Sequence, residues 1–221
     1  MSVALLENDT LLCEQTLATG LTHSETLLPT VDAVLKAAGK TCADIDLFGV
    51  CAGPGSFTGL RIGLCAVKGL AFPANTPCAA VSTLEALAWS HVGTGTVVAA
   101  QDARRGEVYW AAFDLAAHQR ITPDTASPVE KIRAVAETCP KPLLFVGDGA
   151  YLCESAFSAV PGVLPCPAAL RAARAAGVCL AAKAMAERGE TCPPAALLPS
   201  YHRLSQAERQ RAERLAQTTE G

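Results

Sequence analysis

The sequence is poor in the features that usually announce chemistry. None of its ten cysteines forms a Cys-x-x-Cys pair, and zinc sites and dithiol redox motifs need such close pairs. Most lie in apolar runs, as Cys51, Cys65, Cys78 and Cys179 do, so they read as small buried hydrophobes in a reducing compartment. Only the even count speaks for disulfides. A basic excess is also missing: the net charge is −3, the wrong sign for a chain that grips nucleic acid unaided. Any RNA is then held by a partner. No apolar run approaches the ~18 residues of a membrane span and no signal peptide opens the chain, so a cytoplasmic protein away from membranes is expected. Neither His-Glu-x-x-His nor Gly-x-Ser-x-Gly occurs, and His23, His91, His118 and His202 are too scattered for ligand spacing. Hydrophobic residues make up 50% of the 221 positions, enough to bury a core as one large domain or two small lobes.

What is present centres on Gly53-Pro54-Gly55-Ser56-Phe57-Thr58-Gly59-Leu60-Arg61-Ile62-Gly63. The apolar run 47–51 before it is strand-sized, and 60–72 after it suits a helix. Its glycines permit positive φ and close backbone approach, while Ser56 and Thr58 are natural caps for a helix beginning near Gly59. Such a helix start can hold an anion, and equally can be a plain structural turn. The spacing of Gly53, Gly55 and Gly59 is neither the dinucleotide fingerprint nor the phosphate loop ending in Gly-Lys-Ser/Thr. Arg61 stands in the first turn.

Around this centre the pattern predicts a hairpin at 2–17 about Glu7-Asn8-Asp9, and a helix at 24–38 with Leu27, Leu28, Val31, Val34, Leu35 and Ala38 on one face. A strand at 78–81 and a helix at 83–91 capped by Ser82 follow. Gly93-Thr94-Gly95 is the expected lobe boundary, giving lobes at 1–93 and 94–200 and a helical tail at 201–221. The second lobe opens with strands at 96–100 and 107–115 around a turn at 101–106. It continues with a helix at 129–138, a buried strand at 143–146 before Gly147-Asp148-Gly149, a helix at 151–159 and an alanine-rich helix at 168–188. A strand-hairpin-helix unit used twice suggests a duplicated, actin-like or RNase H-like α/β fold with mixed sheets flanked by helices. The terminal stretch 205–217 reads as a solvated helix in which Arg209, Arg211 and Arg214 are balanced by Glu208 and Glu213.

Several separated stretches, in order, carry a resemblance: His-Ser-Glu-Thr-Leu-Leu-Pro at 23–29, the glycine segment continued through 64–82, Ser-Thr-Leu-Glu-Ala-Leu at 82–87, Gln-Asp-Ala-Arg-Arg-Gly-Glu-Val-Tyr-Trp at 101–110, and Gly-Asp-Gly at 147–149. Together they resemble the TsaB family, the non-catalytic, glycoprotease-like paralogues of the transferase TsaD in the bacterial machinery that installs threonylcarbamoyladenosine in tRNA. Members of that family open with a further strand ending in Asp-Thr-Ser, absent before Ser2 here. The resemblance implies that the helices at 24–38 and 59–72 meet a second subunit, with Leu27, Val31, Leu35, Leu60, Gly63, Leu64 and Val67 as contact residues. Periodicity alone fits packing inside the monomer. The implied partners are TsaD as a heterodimer, TsaE, and a second copy as a homodimer, with tRNA reached only through the complex. The implied cofactor is none held tightly, with ATP or ADP at a subunit boundary.

The resemblance also locates the sister enzyme's metal-binding His-x-x-x-His at Thr83 and Leu87, neither of which replaces an imidazole. A different class remains open: a divergent actin-like kinase or ATPase acting alone, using the glycine loop and a second loop with Asp102, Arg104 and Arg105. That chemistry requires two phosphate loops, so the second reads better as a structural hairpin. Protease action by Ser56 lacks a sequence-local base.

Overall fold

The structure is a computed structural model and describes residues 1–18, 20 and 22–202. The expected terminal helix at 205–217 and most of the tail at 201–221 lie outside the described residues. Strands β1 (Ser2–Glu7) and β2 (Thr10–Thr16) form an antiparallel hairpin, turned at Asn8 with φ 54°. Helix α1 (His23–Ala37) follows. Strand β3 (Phe48–Gly53) then leads through the glycine turn into α2 (Phe57–Ala71), and β4 (Cys78–Ser82) pairs parallel to β3 and feeds α3 (Thr83–Trp89). This strand–helix–strand crossover buries Leu64, Ala71, Cys78 and Ala52 together.

The second half is built on a five-stranded mixed sheet. Its order is β7 (Thr125–Pro128), β6 (Glu107–Asp114), β5 (Thr96–Arg104), β8 (Leu143–Val146), β9 (Val163–Leu164). The alternating side chains of β5 divide between two cores. Val98 and Ala100 join Trp110, Ile132, Phe145 and Phe157 under α4 (Arg133–Thr138) and α5 (Ala150–Phe157). Val97 and Ala99 join Phe113, Leu84 and Leu87 under α3. Trp110 is accommodated because its Nε1–H donates to Ser127 Oγ at 2.9 Å, satisfying the one polar atom that its burial would strand.

The last helix departs from the sequence reading. Instead of one helix over 168–188, a short 3-10 turn (Ala168–Leu170) is followed by α6 (Ala175–Glu187). The break is tertiary in origin: the Arg171 carbonyl accepts the Gly147 N–H at 2.8 Å, while its guanidinium serves the Cys166 carbonyl and Glu154. Helix α6 then crosses back to the first half, where Ala181 and Ala182 pack against Ala79, Val81 and Ala86. Gly177 permits this, since a Cβ there would stand 2.3 Å from both the Ala86 carbonyl and Ser90 Oγ. Residues 192–200 follow, with Cys192 and Cys78 exchanging backbone N–H to carbonyl hydrogen bonds at 2.9 and 2.8 Å and Ser200 N–H donating to the Ala52 carbonyl at 2.8 Å. A contiguous cut at 94–200 would therefore separate α6 and this segment from the sheet they cover.

The stretch Phe57–Ala74 reaches 18 residues and is apolar enough by composition to cross a membrane, against the reading that no run approaches that length. Here it packs on β3 through Leu60, Leu64 and Ala71, and exposes Arg61.

Candidate functional site

The parallel pair β3–β4 ends at the glycine turn, the end of the strands at which open α/β sheets bind ligands. Gly53 (φ 141°), a cis Gly53–Pro54 bond and Gly55 (φ 155°) carry the chain from β3 to α2. Ser56 caps the helix as expected, its Oγ accepting the Gly59 N–H at 3.3 Å. The helix starts at Phe57, two residues earlier than read, so Thr58 lies within its first turn, exposed, and is not its cap.

What approaches Gly53 is the segment at 200–201. A Cβ on Gly53 would lie 2.1 Å from the Ser200 carbonyl oxygen. Tyr201 stacks on Phe57 with centroids 4.6 Å apart, and its hydroxyl accepts from Arg61 Nε at 3.0 Å while that guanidinium covers the Phe57 ring at 3.9 Å. Arg61 is thus committed to Tyr201 and Phe57. Sequence reasoning found the loop and missed this partner, because Tyr201 lies 140 residues away.

A polar cluster that no local motif marks gathers at Ser82, the last residue of β4. Ser82 Oγ caps α3 and donates to Asp124 Oδ2 at 2.6 Å. Arg120 pairs with Asp124 and, at 3.4 Å, with Glu85. His202 Nε2 stands 3.7 Å from Asp124 Oδ2 and 3.2 Å from Ser200 Oγ. Serine, histidine and aspartate thus meet, yet both contacts fall on the same ring nitrogen. A hydrolytic triad divides acid and nucleophile between the two nitrogens, so this is a clamp between segments 120–124 and 200–202.

Nearby, Thr83 Oγ1 and Gln101 Oε1 are buried, with the Thr83 hydroxyl facing the Cys51 thiol and Gln101 Oε1 without a hydrogen-bond partner among the described residues. Thr83 is only 6% exposed and Leu87 1%. Beside them, burial pushes the Cys51 thiol up to about 11 and away from any nucleophilic role. The hairpin of β5 and β6 presents Asp102, Arg104 and Arg105. Arg105 and Gly106, at φ 58° and 78°, are the left-handed pair of the two-residue turn between Arg104 and Glu107, and Arg104 itself stands at φ 68° beside a register shift in β5. Asp102 is spent locally: Oδ1 accepts the Arg104 N–H at 2.7 Å and Oδ2 pairs with its guanidinium at 3.1 Å, while the Asp102 N–H donates to Asp148 at 3.0 Å. No cluster of three metal-ligating side chains occurs among the described residues.

The proposed contact residues of α1 and α2 sit on the inward sides of those helices. Leu60 and Leu64 are 8% and 3% exposed, so they are core residues and cannot meet a partner. Leu27, Val31, Leu35, Gly63 and Val67 line a groove inside the chain. Periodicity marks the apolar side of a helix, which here is its buried side. The outward faces carry Leu28, Asp32 and Lys36 on α1, and Thr58, Arg61, Cys65 and Phe72 along α2. All ten cysteines are free, with Cys65 exposed instead of buried as read.

Against known proteins, residues 18–211 match a family model described as TsaD, tRNA N6-adenosine threonylcarbamoyltransferase. A Bacillus subtilis protein named tRNA threonylcarbamoyladenosine biosynthesis protein TsaB is 31% identical over 156 residues, spanning 69% of this chain and 68% of the relative. The chain belongs to the TsaB family. The Escherichia coli TsaB is 45% identical over 94 residues, 41% of either chain. A Pseudomonas aeruginosa crystal structure described as similar to peptidase YeaZ superposes with a TM-score of 0.76 at 30% identity, covering 91% of this chain and 94% of that one. The mixed sheets and flanking helices are the actin-like α/β architecture of the TsaB family.

Proposed function

We propose that this chain is a non-catalytic scaffold subunit of the machinery that installs threonylcarbamoyladenosine in tRNA. In this reading it pairs with the transferase TsaD, or with a second copy of itself, and engages TsaE, with tRNA held by the complex and not by this subunit. The observation that carries the reading is the chemistry of α3. Where the catalytic paralogue places two metal-binding imidazoles, Thr83 and Leu87 stand, and Leu87 is packed into the core between α3 and β5. Neither side chain supplies the imidazole nitrogen by which that paralogue holds its metal. The net charge of −3 agrees with a subunit that leaves RNA to its partner.

The outward face of α1 and α2 is the proposed contact surface. Phe72, 73% exposed at the end of α2, is the aromatic anchor that such interfaces favour, and Cys65 and Gly69 allow close approach of a partner helix. A nucleotide, if one takes part, sits at the boundary between subunits, because Asp102 is already engaged by Arg104 within this one. The same engagement disfavours a stand-alone kinase.

Size-exclusion chromatography of the purified chain with TsaD tests the pairing. Co-elution as a stoichiometric complex is expected; separate elution at concentrations of about 10 µM, well above those of ordinary specific complexes, overturns it.

A further inference from the structure

Two cysteines far apart in sequence are set face to face by the backbone. Cys78 opens β4, and Cys192 lies in the segment that returns from α6. Each donates its N–H to the other's carbonyl, at 2.8 and 2.9 Å, so they are a hydrogen-bonded antiparallel pair. Such a pair holds its Cα atoms about 5.5 Å apart with both side chains on one face, and a disulfide spans Cα separations of about 4.4–6.8 Å. The shared face is the interior. Cys78 is fully buried with Ala52, Leu64, Ala71 and Leu197, and the partly buried Cys192 packs on the same cluster. Among the described residues no other two cysteines are opposed by strand or bridge pairing.

The two thiols are not equivalent. The Cys78 Sγ–H donates to the Thr76 carbonyl at 3.6 Å, and burial, with the nearby Cys192, pushes this thiol above its ordinary value. Cys192 keeps partial access to solvent. Thiol–disulfide exchange needs an accessible thiolate to begin it and a second thiol within reach to finish it, and Cys192 and Cys78 divide those tasks. The segment that starts at Cys192 covers the glycine turn. It runs to the buried Leu197 and on to Ser200, whose carbonyl abuts Gly53 and whose N–H donates to Ala52, and Tyr201 then stacks on Phe57.

We propose that Cys78 and Cys192 form a redox modification site, a dithiol that a low-molecular-weight disulfide such as oxidised glutathione closes reversibly, latching segment 192–200 onto β4. The Cys192 thiolate attacks one sulfur of the small disulfide, breaks its S–S bond and expels one thiolate. Cys78 then gives up its proton and attacks the Cys192 sulfur, forming the bond between the two cysteines and expelling the second small thiolate. Two protein thiols are oxidised, one small disulfide is reduced to two thiols, and the two cysteine protons end on them. A hydrogen-bonded pair holds its Cβ atoms about 5.5 Å apart, wider than the ~3.8 Å of a disulfide. Closure therefore draws the two backbones together and stores strain, which makes the bond a labile one that reduced glutathione reopens. The inference is independent of the scaffold reading and needs neither TsaD nor tRNA.

The test incubates the reduced full chain with oxidised glutathione, blocks the remaining thiols with N-ethylmaleimide and maps the peptides by mass spectrometry, with circular dichroism to verify the fold. A peptide pair linked through Cys78 and Cys192 is expected as the dominant cross-link, lost again in excess reduced glutathione. Cys78→Ala should leave glutathione on Cys192, and Cys192→Ala should leave Cys78 unmodified in the folded chain. In the linked form the Ser200 amide should exchange about threefold or more slowly than in the reduced chain. The cross-link and the Ser200 amide are both read on the native sequence, whatever the variants do. Absence of the linked peptide from folded protein, its formation only in urea, or its persistence in reduced glutathione overturns the proposal. So does unchanged or faster exchange at Ser200.

Discussion

Replacing Gly53 by alanine tests whether the glycine turn exists to receive the chain's own C-terminal segment. At φ 141° an L-residue is strained, at a cost of about 1–3 kcal/mol. The new Cβ would also stand 2.1 Å from the Ser200 carbonyl, so segment 198–201 must withdraw. Withdrawal loses the Ser200 N–H to Ala52 carbonyl bond, about 1 kcal/mol. It also loses the Phe57–Tyr201 stack, worth about 0.5–1 kcal/mol for a tyrosine that is partly exposed. Gly53→Ala should therefore destabilise the chain by about 3–5 kcal/mol, a large share of an ordinary domain's stability. Urea unfolding followed by circular dichroism reads the loss as a shift in midpoint. A double-mutant cycle sharpens the test. Tyr201→Ala alone costs about 1 kcal/mol, and in the Gly53→Ala background close to nothing, because the contact is already broken. A Gly53→Ala variant within about 1 kcal/mol of the parent, or additive effects of the two substitutions, would refute the packing argument.

Alkaline titration reports on the buried thiols. Burial raises Cys51 and Cys179 to about 11 and Cys153 to about 12. The unfolded chain releases these protons first, so the stability they contribute is complete below about pH 9. It is lost at about 1.4 kcal/mol per pH unit for each thiol as pH rises toward 11; unfolding midpoints flat between pH 8 and 10.5 would contradict this. Gly177→Ala forces α3 and α6 apart and should cost about 2 kcal/mol or more in thermal or urea unfolding. Phe72→Asp should leave stability within about 0.5 kcal/mol and weaken the complex with TsaD about tenfold or more, read by calorimetry.

The parts of this fold that the sequence revealed are those fixed locally. The glycine turn, the Ser56 and Ser82 caps and the tight hairpin turn at 105–106 depend on residues within a few positions of one another, and each stands close to where it was expected. The alanine-rich stretch at 168–188 failed as one helix because Gly147, distant in sequence, takes the Arg171 carbonyl. Leu60 and Leu64 were read as contact residues for a related reason. The apolar stripe of Leu60, Leu64 and Val67 is what helical periodicity detects, and it belongs to the interior. The polar clamp of Ser82, Asp124 and His202 joins three separate segments and has no local signal.

The central claim is that this subunit works through its surface while the chemistry belongs to its partner. Reconstitution of threonylcarbamoyl transfer to tRNA decides it, with purified TsaD, TsaE and the threonylcarbamoyl adenylate supplied in the presence and absence of this chain. The account predicts no transfer by this chain alone and transfer by TsaD that depends on its addition. Transfer by the isolated chain, supported by a divalent ion that it holds itself, would contradict the account.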